Sequence, residues 1–180
     1  AQAFIVLAAA QAAQRGAAAQ EVVAVAQEYR QRVSQLFSLE DLSYLQRGGR
    51  IGLAAGLLGS TLRIHPVLTL AHGIVRPVAI ARTRQNALKR IVARMHQAVG
   101  TQPVRAAVLH ADCLHEAEEL AQRVGREFNC LERFMADFTP VMGAHTGPGV
   151  VGVAYCLEEL AGSTAQERSS LGACAMSGQT

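Results

Sequence analysis

Apolar residues recur along the chain with two different periods, and the change from one to the other divides it. Near the start, Phe4-Ile5-Val6-Leu7-Ala8-Ala9-Ala10 is apolar on almost every side of a helix. Such a helix is expected to be buried on more than one face, against residues that precede Ala1. Gly16 ends it. Val22, Val25, Ala26, Tyr29, Val33 and Leu36 then form one stripe at helical spacing, which predicts a second helix over residues 18–37. Ser38 reads as the N-cap of a short helix through Leu42 and Leu45, with Asp41 at its third position and a stop at Gly48-Gly49. Residues 51–62 are apolar and interrupted by glycine, and read as another short helix.

The period becomes two at Leu62. Residues 62–70 and 74–80 read as two strands of a hairpin turning at Ala71-His72-Gly73. Pro66 and Pro77 place these strands at an edge or at bulges, because proline cannot donate to a ladder. Thr83 caps a predicted helix whose stripe is Leu88, Ile91, Val92, Met95 and Val99. Residues 104–110 read as a strand. Asp112 is expected to cap the next helix, with Ala117, Leu120, Ala121 and Val124 inward. Glu116, Glu118 and Glu119 open that helix and Arg123 and Arg126 close it, the order its dipole favours. A strand near residues 131–138, a glycine-rich loop over 143–149 and a last strand over 150–157 complete the pattern.

The predicted fold class is therefore α/β (α+β). A helical segment over residues 1–61 precedes a β-β-α-β-α-β-β sheet domain over 62–160 with helices on one face, and a flexible tail covers 161–180.

Composition narrows the function. Residues 42–111 contain no Asp or Glu, yet carry Arg47, Arg50, Arg63, Arg76, Arg82, Arg84, Lys89, Arg90, Arg94 and Arg105. A field of one sign favours an anionic ligand or an acidic partner, unless these are simply solvated side chains on helix faces. Nucleic acid is not predicted, because the stretch lacks the aromatic platforms that single strands stack on. Cys113, Cys130, Cys156 and Cys174 have neither metal-ligand nor C-x-x-C spacing, so they read as reduced, packed thiols of a cytoplasmic protein. No uncharged run reaches the roughly 18 apolar residues a membrane span needs, so no stable membrane insertion is expected. No cofactor or metal site is read from the sequence.

Three segments carry candidate chemistry. In Gly143-Ala144-His145-Thr146-Gly147-Pro148-Gly149 the glycines let backbone approach a ligand closely, and the imidazole can donate to an anionic oxygen; the alternative is a turn that contains a histidine. In Leu42 to Ile51, Arg50 follows two glycines, where a guanidinium fork can reach an anion or where basic residues simply satisfy a helix end. In Arg82-Thr83-Arg84 a strand gives way to a helix N-terminus, a natural anion site, although Arg84 can equally be solvated. No nucleophile elbow, phosphate loop or dinucleotide fingerprint is present.

Taken in order, the Tyr44-Leu45-x-x-Gly48-Gly49-Arg50-Ile51 segment, the Leu62-x-Ile64-x-Pro66 strand, Gly73-x-x-x-Pro77, Arg82-Thr83 and His145-Thr146-Gly147-Pro148-Gly149 resemble the C-terminal portion of the DegV family, over roughly residues 4–157. The resemblance implies a protein that binds one long-chain fatty acid between two domains. It also implies the binding subunit of a fatty acid kinase, presenting the carboxylate to a separate ATP-binding subunit that forms an acyl phosphate. On that likeness His145, Thr146 and Gly147 lie at the carboxylate, and Arg50 and Arg82 serve phosphoryl transfer or docking of the kinase subunit. The chain would not be an enzyme on its own. His65 stands where the family strand has Lys, and the family's N-terminal domain, with the hydroxyl residues that share the carboxylate, is not in this sequence. The competing reading is a self-sufficient enzyme on a small anionic substrate, with His145 as acid or base.

Overall fold

A computed structural model describes residues 1–58 and 64–158. The predicted domain boundary at 61/62, the start of a strand at Leu62, Arg63, the flexible tail and Cys174 lie outside the described residues. Two helices, α1 (Gln2–Gln14) and α2 (Ala19–Arg32), lead into strand β1 (Val33–Ser38). Helix α3 (Ser43–Arg47) and a 3₁₀ helix (Gly52–Leu57) follow. Then come β2 (His65–Ala71), β3 (Ile74–Ala81), α4 (Arg84–Val99), β4 (Val104–His110), α5 (Leu114–Glu127), β5 (Cys130–Asp137), α6 (Pro140–Thr146) and β6 (Val151–Leu157). The strands form one six-stranded sheet in the order β3-β2-β1-β6-β4-β5, in which only β4 and β5 run parallel.

The mixed α/β architecture is the expected one, with a strand the period analysis missed. Residues 33–37 were expected to continue a helix; they form β1 instead. Val33 and Leu36 fit a helical stripe by coincidence of spacing. The segment pairs with β6 from Val33↔Cys156 to Ser38↔Val151 and with β2 at Phe37↔Leu68. Strand β6 needs that neighbour, because Val151 to Cys156 are all buried, the mark of a central strand covered on both faces. Tertiary pairing here overrides local preference.

Helices α4 and α5 cover one face. Leu88, Ile91, Met95, Leu120 and Val124 meet Leu36, Val67, Val104, Val108, Val153 and Tyr155 across it. On the other face Phe4 of α1 meets Ala154 and Cys156. Phe4, Ala8 and Ala12 form the buried line of α1, while Val6 and Leu7 remain 57% and 45% exposed, so this chain buries one face of that helix. Farther along the same face of the sheet, α3 and the 3₁₀ helix enclose a second small core of Leu39, Leu42, Leu45, Ala54, Leu68, Val75 and Val150.

The capping pattern is partly as read. Thr83 Oγ1 accepts from the Asn86 N–H at 3.2 Å, and α3 stops at Gly48, with Gly49 at φ +65°. Ser38 does not cap α3: it ends β1, and Asp41 accepts from the Ser43 N–H at 2.8 Å instead. The hydrogen bonds from the Ser43 hydroxyl and N–H hold the Asp41 carboxyl below its ordinary value. Asp112 does not cap α5, whose N-cap is Cys113; Asp112 occupies the left-handed region at φ +56°. The predicted loop over 143–149 begins inside α6, so the two final strands are separated by a helix. Burial raises the thiol pKa of Cys113 and Cys130 and pushes that of Cys156 up to about 11, which suits packed, unreactive thiols. Among the described residues, no helix is long and apolar enough to cross a membrane.

The hairpin matches the reading closely. Strand β3 is an edge, and the ladder shifts register between Val67 and Leu68, opposite Pro77. His72 and Gly73 sit at φ +52° and +76°, the positive pair that a tight two-residue hairpin turn requires. Asparagine tolerates this region better than histidine. His72→Asn is therefore expected to stabilise the fold by about 0.5 kcal/mol and Gly73→Ala to destabilise it by about 1 kcal/mol, read by chemical unfolding. Equal midpoints for the two variants would refute this turn assignment.

Candidate functional site

The site is built where two short helices touch. Helix α3 ends with the Gly48 N–H on the Tyr44 carbonyl and the Arg50 N–H on the Leu45 carbonyl at 2.8 Å, a left-handed glycine turn. Helix α6 begins with Pro140 and ends at Gly147, φ +74°. A methyl group on Gly48 would run into His145 Nδ1. One on Gly147 would lie 2.5 Å from Cδ2 of Tyr44. Each helix thus rests a ring on the glycine that ends the other. Among the described residues, this contact sets the position of His145 without a side-chain hydrogen bond.

His145 Nδ1 is buried and has no hydrogen-bond partner among the described residues. Thr146, beside it, is buried, and its hydroxyl donates to the Met142 carbonyl at 2.9 Å. Thr146 Oγ1 therefore has only acceptor capacity left in this rotamer. Arg50 is exposed, with one guanidinium nitrogen donating to the Gly48 carbonyl at 3.0 Å. These three side chains border one groove of about 520 Å³, within the range of small-molecule sites. Apart from them and Gln35, its lining side chains are apolar, among them Phe37, Leu45, Ile74, Val75, Phe138 and Met142. An imidazole at one point of an apolar groove can orient a ligand that has one anionic head and a hydrocarbon body.

The other predicted residues are placed differently. Gly147 lies behind the groove, under the Tyr44 ring, where it supports the contact. Arg82 is exposed and lines a separate cleft of about 610 Å³ with Asn86, Lys89 and Arg90. Arg84 is not solvated. It donates to the Gly149 carbonyl and, at 3.5 Å, to the Ser38 carbonyl, while its Nε lies 3.9 Å from a Glu116 oxygen. It ties the start of α4 to the end of the His145 loop. His65 lies 3.9 Å from Glu40, whose side chain packs against Gly149. Sequence reasoning did not find the groove wall. Phe37, Ile74 and Phe138 come from distant segments, and only the sheet register brings them together. Among the described residues, no group of His, Cys, Asp or Glu could hold a metal ion.

Comparison with known proteins places this geometry in context. The profile of the DegV family, described as an uncharacterised protein family, matches residues 1–158. A DegV domain-containing protein of Clostridium acetobutylicum is 36% identical over 157 residues, which cover 87% of this chain and 55% of that protein. Protein DegV of Bacillus subtilis is 32% identical over 160 residues, covering 88% and 57%. The chain thus spans about half the length of these relatives. Among solved structures, a DegV family protein of Thermus thermophilus, reported for its fatty acid binding, superposes with a TM-score of 0.81 at 30% identity over 87% of this chain and 56% of that one. DegV of Bacillus subtilis, reported as a fatty acid binding protein, superposes with a TM-score of 0.75 at 30% identity over 87% and 56%.

The interlocked glycines make a direct forecast. Gly48→Ala is expected to displace the His145 ring and cost about 1–3 kcal/mol from overpacking. Gly147→Ala adds about 1–3 kcal/mol of backbone strain, because φ +74° with ψ 174° is a conformation essentially confined to glycine. Imidazole proton and nitrogen NMR shifts report the ring directly. Unchanged His145 resonances in Gly48→Ala would sink the packing account.

Proposed function

The chain belongs to the DegV family, and from that premise we propose that it forms the carboxylate end of a long-chain fatty acid site and presents that carboxylate to a separate, ATP-dependent kinase subunit in the cytoplasm. One observation carries the reading: the His145 imidazole, with no hydrogen-bond partner among the described residues, borders an apolar groove. A ring nitrogen can donate to a carboxylate oxygen, and the groove takes the alkyl chain by the hydrophobic effect. Two relatives of known structure, each 30% identical to this chain, are fatty acid binding proteins, which supports the same ligand here.

In this reading His145 donates to one carboxylate oxygen, and the Thr146 hydroxyl joins after releasing the Met142 carbonyl. Gly147 keeps the imidazole in place through Tyr44. The remaining oxygen attacks the terminal phosphorus of ATP held by the partner, and the bond from phosphorus to the ADP oxygen breaks. Catalysis of that step is mostly positioning and charge neutralisation. Arg50 at the mouth of the groove supplies positive charge. Arg82, with Lys89 and Arg90 in the second cleft, gives an acidic partner its docking surface. Phosphoryl transfer thus needs the partner, and this chain is not an enzyme alone. The competing reading, His145 as acid or base of a self-sufficient enzyme, is not favoured: among the described residues no carboxylate hydrogen-bonds to the ring to orient it.

Native mass spectrometry of the full-length protein is expected to find a long-chain fatty acid bound. Apo protein from several expression hosts would overturn the reading. His145→Ala should weaken fatty acid binding by about 10- to 100-fold, the loss of one charge-assisted hydrogen bond. Arg82→Ala should leave that affinity within about twofold, as a surface change does, while acyl phosphate formation with the cognate kinase collapses. Normal turnover of Arg82→Ala would remove it from the reaction.

A further inference from the structure

Gln35 stands in the wall of the groove on β1. It shares a face of the sheet with Phe37, about 7 Å farther along the strand, while Leu36 between them faces the α4–α5 core. Its cross-strand neighbours on that face are apolar. Gln35 pairs with Ala154, which is 1% exposed, and Ala154 pairs with Ala107. The Thr69 hydroxyl donates to the Gln35 carbonyl at 2.7 Å, so the backbone is fixed and the side chain is left to face the groove. A carboxamide there brings two donors and an acceptor among apolar cross-strand neighbours.

An unsubstituted alkyl chain lying across this amide removes its water and returns no hydrogen bond, which disfavours binding. A chain with an oxygen at the matching carbon returns one. A site built to hydrogen-bond a hydroxyl discriminates strongly against a ligand that lacks it. We propose that Gln35 makes the groove selective for long-chain acids that carry an oxygen on an interior carbon, a hydroxy acid being the simplest, over unsubstituted saturated acids. The inference rests on the fatty acid reading above, with the carboxylate at His145 and the chain running along the groove past Phe37.

Isothermal titration of the full-length protein with stearic acid, and with hydroxystearic acids bearing the hydroxyl at successive interior carbons, tests it. At least one hydroxy isomer is expected to bind about tenfold more tightly than stearic acid. Gln35→Leu, and the unbranched Gln35→Met, should abolish or reverse that preference while stearic acid binding persists or improves. The preference in the unaltered protein needs no variant, so a folding defect cannot mask it. If stearic acid binds and no isomer exceeds it, or if the preference survives both substitutions, the selectivity assigned to Gln35 is wrong while the fatty acid reading stands. If neither class of acid binds, both fall together.

Discussion

The reciprocal contact between Gly48 and the His145 ring, and between Gly147 and the Tyr44 ring, is what the site depends on. Helices α3 and α6 have 5 and 7 residues, too few to be stable alone. Each gains its place from the other. Any Cβ at either glycine would separate the two helix ends and move the imidazole. The Arg47 guanidinium lies 4.6 Å from the Tyr44 ring centre and adds a cation–π contact. The imidazole is therefore positioned by van der Waals contact of Nδ1 with Gly48, and the side chain still borders the groove. Had an acidic side chain held the ring, the same histidine would already be paired.

The sheet holds this contact in register. The Gly149 N–H donates to the Ala111 carbonyl at 2.7 Å, and the Ala111 N–H donates to the Val150 carbonyl at 2.9 Å. Arg84 adds its bond to the Gly149 carbonyl from the first turn of α4. A guanidinium taken out of water is costly unless its donors are used. Here two backbone carbonyls accept from its terminal nitrogens, and a Glu116 oxygen 3.9 Å from Nε offsets the charge without a hydrogen bond. The loop that follows His145 is thus bound to the end of β4 and to α4, and from there enters β6, the most enclosed strand.

What the sequence disclosed follows from how local each feature is. Helix α4 keeps one apolar stripe through four turns, and its cap is the next residue upstream, so both were legible. The hairpin announced itself through His72-Gly73 and two prolines. Strand β1 was hidden because Val33 and Leu36 satisfy a helical period, and its partners β2 and, more than a hundred residues later, β6 make the segment a strand. Helix α6 was hidden by the glycines after it, although Pro140 following Thr139 is a helix-start signal that reading passed over. His145 could be found because glycine-dense backbone around an imidazole is unusual. The groove could not be found, because its wall is assembled by register from segments that show only ordinary apolar residues.

Arg82, Thr83 and Arg84 carry this further. Three consecutive residues take three different roles because the chain turns from β3 into α4. Arg82 stays outside in the basic cleft, Thr83 caps the helix, and Arg84 turns inward to the His145 loop. A rigid helix start with its cap satisfied leaves little freedom between the first residue and the third. On the proposed reading, the surface that meets the kinase and the loop that holds the carboxylate are then parts of one rigid piece. The alignment of carboxylate and phosphate is set by where α4 begins, and a change at the cap would disturb phosphoryl transfer before it disturbed the apolar groove.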